Sequence, residues 1–265
     1  LSEHTDAARE SLTSRPGRSW RVAGLGVTKA HEGFAALPAV KQELTGLVRS
    51  EGAQAAKRDA KGNAGGILPG IVKLDEAFNA ESLRGALREH FAVVHIASHF
   101  KFDPAGEGAS FLLLGDGKRL SLEALRKEGY RFADVDLLTL SACETAVGGV
   151  RDANGREIEG FGAMAQKQGA KGVMATLWPV ADHSTGELMQ RFYREREARQ
   201  LSKAEALRQA QLALLRGEGV SKPSEAQVRE EGKRLRPPGA YIPNLSAPYA
   251  HPYYWAPFVL MGNWL

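Results

Sequence analysis

Two side chains of this sequence, the thiol of Cys143 and the imidazole of His99, could together perform nucleophilic catalysis. A cysteine attacks as its thiolate, and a free thiol with a pKa near about 8.5 is only partly ionised at neutral pH. A neighbouring imidazole supplies the base that removes the thiol proton, and it can later give that proton to a leaving group. Cys143 is the only cysteine of the chain. The pair predicts acyl transfer, in which the thiol attacks a carbonyl carbon.

Each of these two side chains follows a short apolar run that is typical of a buried parallel strand. Residues 137–140 precede Cys143, and residues 93–97 precede His99. Parallel strands end at the same edge of a sheet, and open α/β sheets carry their chemistry at the carboxyl ends of the strands. We therefore expect the imidazole and the thiol to meet there. His95, inside its apolar run, is predicted to be a buried, hydrogen-bonded core residue.

Four motifs follow one another in the order that is found in one protein family. They are Ser98-His-Phe, Leu140-Ser-Ala-Cys-Glu-Thr, Ala175-Thr-Leu-Trp-Pro-Val-Ala-Asp and His251-Pro-Tyr-Tyr-Trp-Ala-Pro-Phe-Val-Leu-Met-Gly. Together they resemble the CHAT-domain cysteine peptidases, bacterial relatives of caspases and separase. The resemblance runs from about Trp20 to the end of the chain. The histidine also precedes the cysteine by close to the roughly 50 residues that are typical of caspase-type enzymes.

The resemblance implies a caspase-like fold and an endopeptidase with a Cys/His dyad, carried here by Cys143 and His99. It also implies that the backbone amides of Cys143 and Phe100 bind the oxyanion. The family usually has glycine at the position of Phe100, and phenylalanine has less backbone freedom than glycine. The segment Trp178-Pro179-Val180 is implied to run beside an extended substrate peptide and to bind its main chain. A core position is an equally open interpretation for its tryptophan.

Substrate preference can be inferred from the residue two positions before the cysteine. In caspase relatives this residue lines the pocket for the side chain ahead of the cut, and here it is Ser141, which is small and uncharged. A charged substrate side chain buried there would need a countercharge, and Ser141 offers none. We therefore expect a neutral or apolar residue before the cleavage site. Glu144, Asp182 or Lys29 would change this expectation if one of them reached the pocket.

The composition of the 265-residue chain narrows its function classes. The net charge is +4 with both signs interspersed, whereas nucleic-acid binding needs a clustered basic face. A lone cysteine cannot form an internal disulfide, which fits a reducing compartment. The sequence also lacks the paired ligand spacing of a zinc site, so we expect no metal or other cofactor. No apolar stretch approaches the roughly 18 residues of a membrane span, and no signal-peptide pattern is present. We expect a cytoplasmic protein without membrane or direct nucleic-acid partners.

The strand and helix patterns predict one α/β domain over residues 20–265, preceded by a linker or lead-in over residues 1–19. The expected fold is a caspase-like three-layer α/β/α sandwich around a mostly parallel six-stranded sheet, with the last strand antiparallel at the edge. The first residue is leucine and not methionine, which we interpret as a sign of either an engineered start or a piece of a longer protein. CHAT domains commonly follow repeat or sensor domains. The resemblance thus implies an N-terminal regulatory domain or partner protein, a dedicated protein or peptide substrate, and a role in bacterial antiviral defence or cell death.

Several local patterns predict individual elements of this fold. The apolar spacing over residues 37–48 predicts a helix, and Asn79 is a candidate N-cap for a later one. Asp116-Gly117 predicts a hairpin turn, and Ser184 with Glu187 predicts a capping box.

Two other classes of function stay open at this point. The first is a catalytically silent caspase-like interaction module, suggested by Phe100 in place of glycine. The second is a small-molecule thiol hydrolase or nucleotide binder on the same kind of sheet. The Gly24-Leu25-Gly26 stretch is the nearest feature to a phosphate loop, but it lacks the third glycine of the dinucleotide pattern. Close backbone packing at a turn is the alternative interpretation of these glycines.

Overall fold

The computed structural model describes residues 20–51, 65–101, 103, 105–141, 156–178, 182–220 and 246–265. For residues 156–159 and 182 it describes the backbone alone. The predicted linker over residues 1–19 and the predicted site residues Cys143, Glu144, Pro179 and Val180 lie outside the described residues.

A seven-stranded, mostly parallel sheet forms the centre of the fold. The strands of the described chain are β1 (Val22–Gly26), β2 (Val48–Ser50), β3 (Leu68–Leu74), β4 (Val93–Ala97), β5 (Phe100–Lys101), β6 (Phe111–Leu113), β7 (Arg119–Ser121), β8 (Leu137–Ser141), β9 (Gly172–Thr176) and β10 (Phe258–Gly262). The order across the large sheet is β10-β9-β8-β4-β1-β3-β2, and β10 pairs antiparallel with β9 at one edge. The predicted antiparallel last strand is confirmed. The sheet has seven strands instead of six because β2, which follows directly on a helix, adds a short strand at the other edge.

A second, three-stranded antiparallel sheet follows the histidine strand. Its order is β5-β6-β7. The predicted hairpin between β6 and β7 is confirmed, with Gly117 at a φ of 81° and the Asp116 carboxylate accepting from the Lys118 amide at 3.1 Å. Strand β5 was not predicted, because two residues are too short to show an alternating pattern.

Helices complete the secondary structure of the described residues. They are α1 (Ala39–Leu47), α2 (Ala80–Arg88), α3 (Leu122–Lys127), α4 (Arg156–Lys167), α5 (Asp182–Arg199) and α6 (Lys203–Arg216), with short 3₁₀ turns at Asp75–Ala77 and Pro252–Tyr254. Asn79 caps α2 as predicted, and its side chain accepts from the Ser82 amide in a capping box. The capping box predicted at Ser184 is wrong, because α5 already begins at Asp182 and Ser184 is buried within it.

Helices cover both faces of the large sheet. Successive residues of a strand point to opposite faces. Val94 and Ile96 of β4 therefore pack into a core with α2, α3 and α4, whereas Val93 packs into a second core with α5 and α6. Helix α1 lies beside α5 on this second face. The predicted three-layer α/β/α architecture is confirmed.

Two glycines let α1 approach the sheet closely. Gly24 and Gly26 lie inside β1 and not at a turn, which corrects the sequence-based interpretation. A Cβ added at Gly26 would lie 2.6 Å from Cγ1 of Val40 and 2.7 Å from Cδ1 of Leu44, both on α1. Such distances are far shorter than ordinary carbon–carbon contacts of about 3.5–4.0 Å. Glycine at this position is thus explained by helix packing, without a phosphate ligand.

Asp75 joins the segment after β3 to the loop after β1 through side-chain hydrogen bonds. Its carboxylate accepts hydrogen bonds from the Thr28 amide at 2.7 Å and from the Thr28 hydroxyl at 2.7 Å. Burial alone would raise the pKa of Asp75, but these bonds, together with the Lys29 amide, outweigh burial and leave the pKa below its usual range.

We expect the stability that Asp75 contributes to vanish in acid. A carboxylate whose folded pKa lies below its unfolded value of about 3.9 stabilises the fold fully above that value, and loses the contribution as the pH falls through the folded pKa. Asp75→Asn removes the charge and keeps a residue that tolerates the φ of 50° at this position. In urea unfolding, the free-energy difference between wild type and variant should be largest above about pH 5 and should shrink below about pH 3. A difference that is constant with pH would contradict this origin.

Candidate active site

The histidine strand and the cysteine strand are neighbours in the centre of the sheet. β4 and β8 pair in parallel, with Ala97 opposite Ser141, and the Ser98 amide donates to the Ser141 carbonyl at 3.2 Å. The two strands therefore end at the same level of the sheet. This agrees with the sequence-based prediction that their carboxyl ends share one edge. Of the predicted dyad, His99 lies within the described residues and Cys143 outside them.

The imidazole of His99 is held in a buried position just beyond β4. The residue is 1% exposed, and its ring packs at 5.1 Å from the ring of Phe34. Its Nε2 atom lies 2.9 Å from the carbonyl oxygen of Ala35. A carbonyl only accepts hydrogen bonds, so Nε2 must carry the proton. In the neutral ring this assigns Nδ1 as the basic nitrogen, the atom able to take a proton from an acid.

Phe100, the departure from the family pattern, lies in β5 with ordinary extended backbone. Its ring is buried and packs edge to face on Phe161 of α4, with 5.3 Å between centroids. The Leu113 amide donates to the His99 carbonyl at 2.9 Å, which makes those two residues a hydrogen-bonded pair. Hydrogen-bonded and non-hydrogen-bonded pairs alternate along antiparallel strands. The next pair, Phe100 with Leu112, is therefore non-hydrogen-bonded, and the Phe100 amide points away from β6. No positive φ is needed here, so phenylalanine is compatible with this backbone.

Ser141 turns its hydroxyl away from solvent and toward helix α1. The residue is 1% exposed, and its Oγ donates to Oε1 of Glu43 at 2.6 Å. The same Oε1 atom lies 2.8 Å from Nε2 of His95. His95 is fully buried and hydrogen-bonded, as predicted. The uncharged Ser141 is thus backed by a carboxylate that sequence reasoning missed.

Tyr193 continues this network two residue pairs deeper in the sheet. Its hydroxyl lies 3.2 Å from Nδ1 of His95 and 2.7 Å from Oγ1 of Thr139. Burial raises the pKa of Tyr193, so the hydroxyl stays protonated and can donate. We call these buried side chains the Glu43 cluster: Glu43, His95, Thr139, Ser141 and Tyr193.

Trp178, Asp182 and Lys29 are the other predicted site residues of which the structure describes at least the backbone. Trp178 is half-buried, and its Nε1 donates to the Tyr253 carbonyl at 3.1 Å, so the C-terminal segment holds its indole. Asp182 begins α5, and its side chain lies outside the described residues. Lys29 is exposed and forms an ion pair with Glu76 at 2.7 Å. The structure therefore brings His99, Phe100 and Ser141 together at the ends of β4 and β8, and leaves Lys29 at the surface.

Neither a metal site nor a membrane span is found in the described ranges. Across them, no three His, Cys, Asp or Glu side chains lie close enough together to hold a metal ion. No helix among these residues combines the length and the apolar character that crossing a bilayer requires.

Comparison with known proteins agrees with the fold and with the motif order. The family model of the CHAT domain matches residues 2–263, which is nearly the whole chain. A search of curated proteins finds no significant match. The mostly parallel sheet with an antiparallel edge strand is the architecture expected of a caspase-like domain. The chain therefore belongs to the CHAT-domain family, which is related to the caspase-like cysteine peptidases.

Proposed function

We propose that this protein is a cysteine endopeptidase in which Cys143 is the nucleophile and His99 the base. The observation that carries the proposal is the pairing of Ala97 with Ser141, since both predicted dyad residues lie two positions beyond this pair. The assignment of Nδ1 of His99 as the basic nitrogen supports it further. Membership of a family related to peptidases agrees with this chemistry.

The reaction would proceed by acyl transfer. The Cys143 thiol gives its proton to His99, and the sulfur attacks the scissile carbonyl carbon. The backbone amides of Cys143 and Phe100 would stabilise the resulting oxyanion, since the Phe100 amide points away from β6. The carbon–nitrogen bond then breaks, and His99 protonates the leaving amine. Water, deprotonated by His99, finally hydrolyses the thioester and restores the thiol.

The substrate would be an extended segment of a dedicated protein. Trp178-Pro179-Val180 is proposed to bind its main chain, and Ser141, Glu144 and Asp182 are proposed to line the site. An uncharged residue is proposed before the cut. The Glu43 carboxylate behind Ser141 does not serve as a countercharge for a substrate, because it is 3% exposed and already contacts Ser141 and His95. An N-terminal regulatory domain or partner protein is proposed to control activity, in the cytoplasm and in bacterial defence or cell death.

Peptide cleavage mapping tests this function directly. The full-length protein and its Cys143→Ala variant are incubated in reducing buffer with a diverse peptide pool, and the products are identified by mass spectrometry. Cuts that vanish in the variant establish a cysteine endopeptidase, and uncharged residues before the cut support the Ser141 argument. Arg or Lys at that position would overturn the proposed preference. Absence of cuts, together with failure of a cysteine-reactive peptide probe to label Cys143, favours the silent interaction module.

Restoring the family glycine at position 100 should not improve catalysis. Phe100→Gly removes a buried ring that packs on Phe161, so we expect the free energy of unfolding to fall by at least about 3 kcal/mol. Because Phe100 already has extended backbone, kcat of the folded variant should not rise above that of wild type. Urea unfolding and steady-state kinetics measure the two quantities. A stable variant with higher kcat would show that phenylalanine hinders the oxyanion site.

A further inference from the structure

We propose that Glu43 is a positioning residue that fixes the ends of β4 and β8 relative to each other, and with them His99 and Cys143. The inference rests on the proposed function and adds to it a residue from a different part of the chain. Glu43 lies on α1, far in sequence from both strands, and contacts His95 and Ser141.

A single oxygen atom of Glu43 joins the two strands. Oε1 accepts from Oγ of Ser141 on β8 at 2.6 Å and lies 2.8 Å from Nε2 of His95 on β4. Ser141 comes two residues before Cys143, so chain geometry limits the distance between their Cα atoms to at most about 7 Å. His95 lies on β4, four residues before His99, which follows just beyond the end of this strand. Any shift of one strand end against the other must therefore lengthen one of these two contacts.

The helix that carries Glu43 is itself tightly fixed. Its residues Val40 and Leu44 pack so closely against Gly26 of β1 that a Cβ at that position would not fit. Val40, Leu44 and Leu47 are buried together with Glu43 along one side of α1. The carboxylate therefore reaches the sheet from a rigid base, which is what precise placement of reactive groups requires.

The main-chain pairing of β4 and β8 reaches the same level as the Glu43 contacts, and the Ser98 amide adds one hydrogen bond to the Ser141 carbonyl. The ladder between β4 and β8 fixes register up to Ala97 and Ser141, after which both strands end. A buried carboxylate is costly to desolvate, and apolar side chains of similar size could join helix and sheet as well. An acceptor shared between Ser141, in the last pair, and His95, two residues before the end of β4, is instead suited to align the two chain segments that follow these strands.

Tyr193 provides a matched control for this inference. Its hydroxyl also joins the two strands, through His95 on β4 and Thr139 on β8. Tyr193 and Thr139 are as buried as Glu43 and Ser141. Both bridges use His95 on β4, but on β8 the Tyr193 bridge contacts Thr139, two residues before the Ser141 that Glu43 contacts. If the cluster only stabilises the fold, both bridges should matter equally for activity.

The experiment compares four variants of the full-length protein: Glu43→Ala, Glu43→Gln, Ser141→Ala and Tyr193→Phe. Each is assayed at a temperature at which circular dichroism shows it folded, with a peptide identified by cleavage mapping. A second readout is the rate at which iodoacetamide alkylates Cys143. It needs no substrate and reports how well the thiol is activated.

Glu43→Ala should lower kcat by at least about 10-fold with KM within about 2-fold, since misplaced reacting groups slow chemistry more than binding. Ser141→Ala should lower kcat by a similar factor. Alkylation of Cys143 should slow in parallel. Glu43→Gln should return kcat to within about 3-fold of wild type, because a carboxamide oxygen still accepts from Ser141. Tyr193→Phe should lower the Tm but leave kcat within about 2-fold.

Two results would overturn the inference alone: wild-type kcat in Ser141→Ala and Glu43→Ala, or an equal fall in kcat for Ser141→Ala and Tyr193→Phe. If Glu43→Ala does not fold, the comparison of kcat between Ser141→Ala and Tyr193→Phe tests the inference instead. A wild-type protein that cuts no peptide, and whose alkylation rate is unchanged by His99→Asn, overturns the proposed function and this inference with it. The two failures are therefore distinguishable.

Discussion

His99→Asn is expected to lower kcat/KM by at least about 10³-fold, because the variant lacks the base that ionises the thiol and the acid that protonates the leaving amine. This corresponds to roughly 4 kcal/mol of lost transition-state stabilisation. The rate of Cys143 alkylation near neutral pH should fall as well, since only the thiolate reacts. Steady-state cleavage of a mapped peptide and alkylation by iodoacetamide measure the two effects.

His90→Asn is the matched control for this substitution. His90 lies before the other end of β4, and its exposed imidazole contacts Asp134 at 2.7 Å. Its φ of 55° is tolerated by asparagine, so the substitution adds little strain. Activity of this control should match wild type. Equal activity in His99→Asn and His90→Asn would refute the role of His99 as base.

Phe161→Ala is expected to have the largest effect on stability, with a loss of about 3–5 kcal/mol in the free energy of unfolding. Phe161 is fully buried on α4 and packs edge to face on Phe100. Removing its ring leaves a cavity and deprives Phe100 of the surface that holds it in β5. Because a domain is stable by only about 5–15 kcal/mol, the variant should be close to the limit of folding. Urea unfolding followed by circular dichroism measures the change.

Two further substitutions separate the cavity from other causes. Phe161→Leu keeps most of the buried volume and should cost under about 2 kcal/mol. Leu215→Ala removes a side chain that is 40% exposed, so it should cost under about 0.5 kcal/mol. A Phe161→Ala protein as stable as Leu215→Ala would mean that the α4 contact with β5 contributes little to the fold.

The parts of the fold with a strong local signal were predictable from sequence. The apolar runs of β4 and β8 indicated both strands and the edge at which they end, and Asn79 marked the start of α2 through its own hydrogen bond. Short strands such as β2 and β5 were missed, because two or three residues do not establish a period and their pairing depends on distant partners. The start of α5 was misjudged, since Ser184 carries a capping signal but lies inside the helix.

His99 lies just beyond β4, where the sequence pattern predicts it, but the residues that support this edge of the sheet were not predicted. Glu43 was not among the predicted site residues, although its position in the helix pattern indicated a buried carboxylate. It falls on the same buried stripe of α1 as Val40, Leu44 and Leu47, and a carboxylate on an apolar helix face needs a partner in the core. The partners, Ser141 and His95, come from strands far along the chain. No local pattern reports such a contact, because tertiary packing creates it.

The central position of β4 and β8 has a consequence for hydrogen exchange. Each strand has a partner on both sides and helices over both faces, so their amides can exchange only when a large part of the molecule opens. We expect the slowest exchange of the described residues in these two strands, and the edge strands β2 and β10 to exchange sooner. On heating, the two strands that precede the proposed dyad residues should thus separate last, so activity should persist until global unfolding begins.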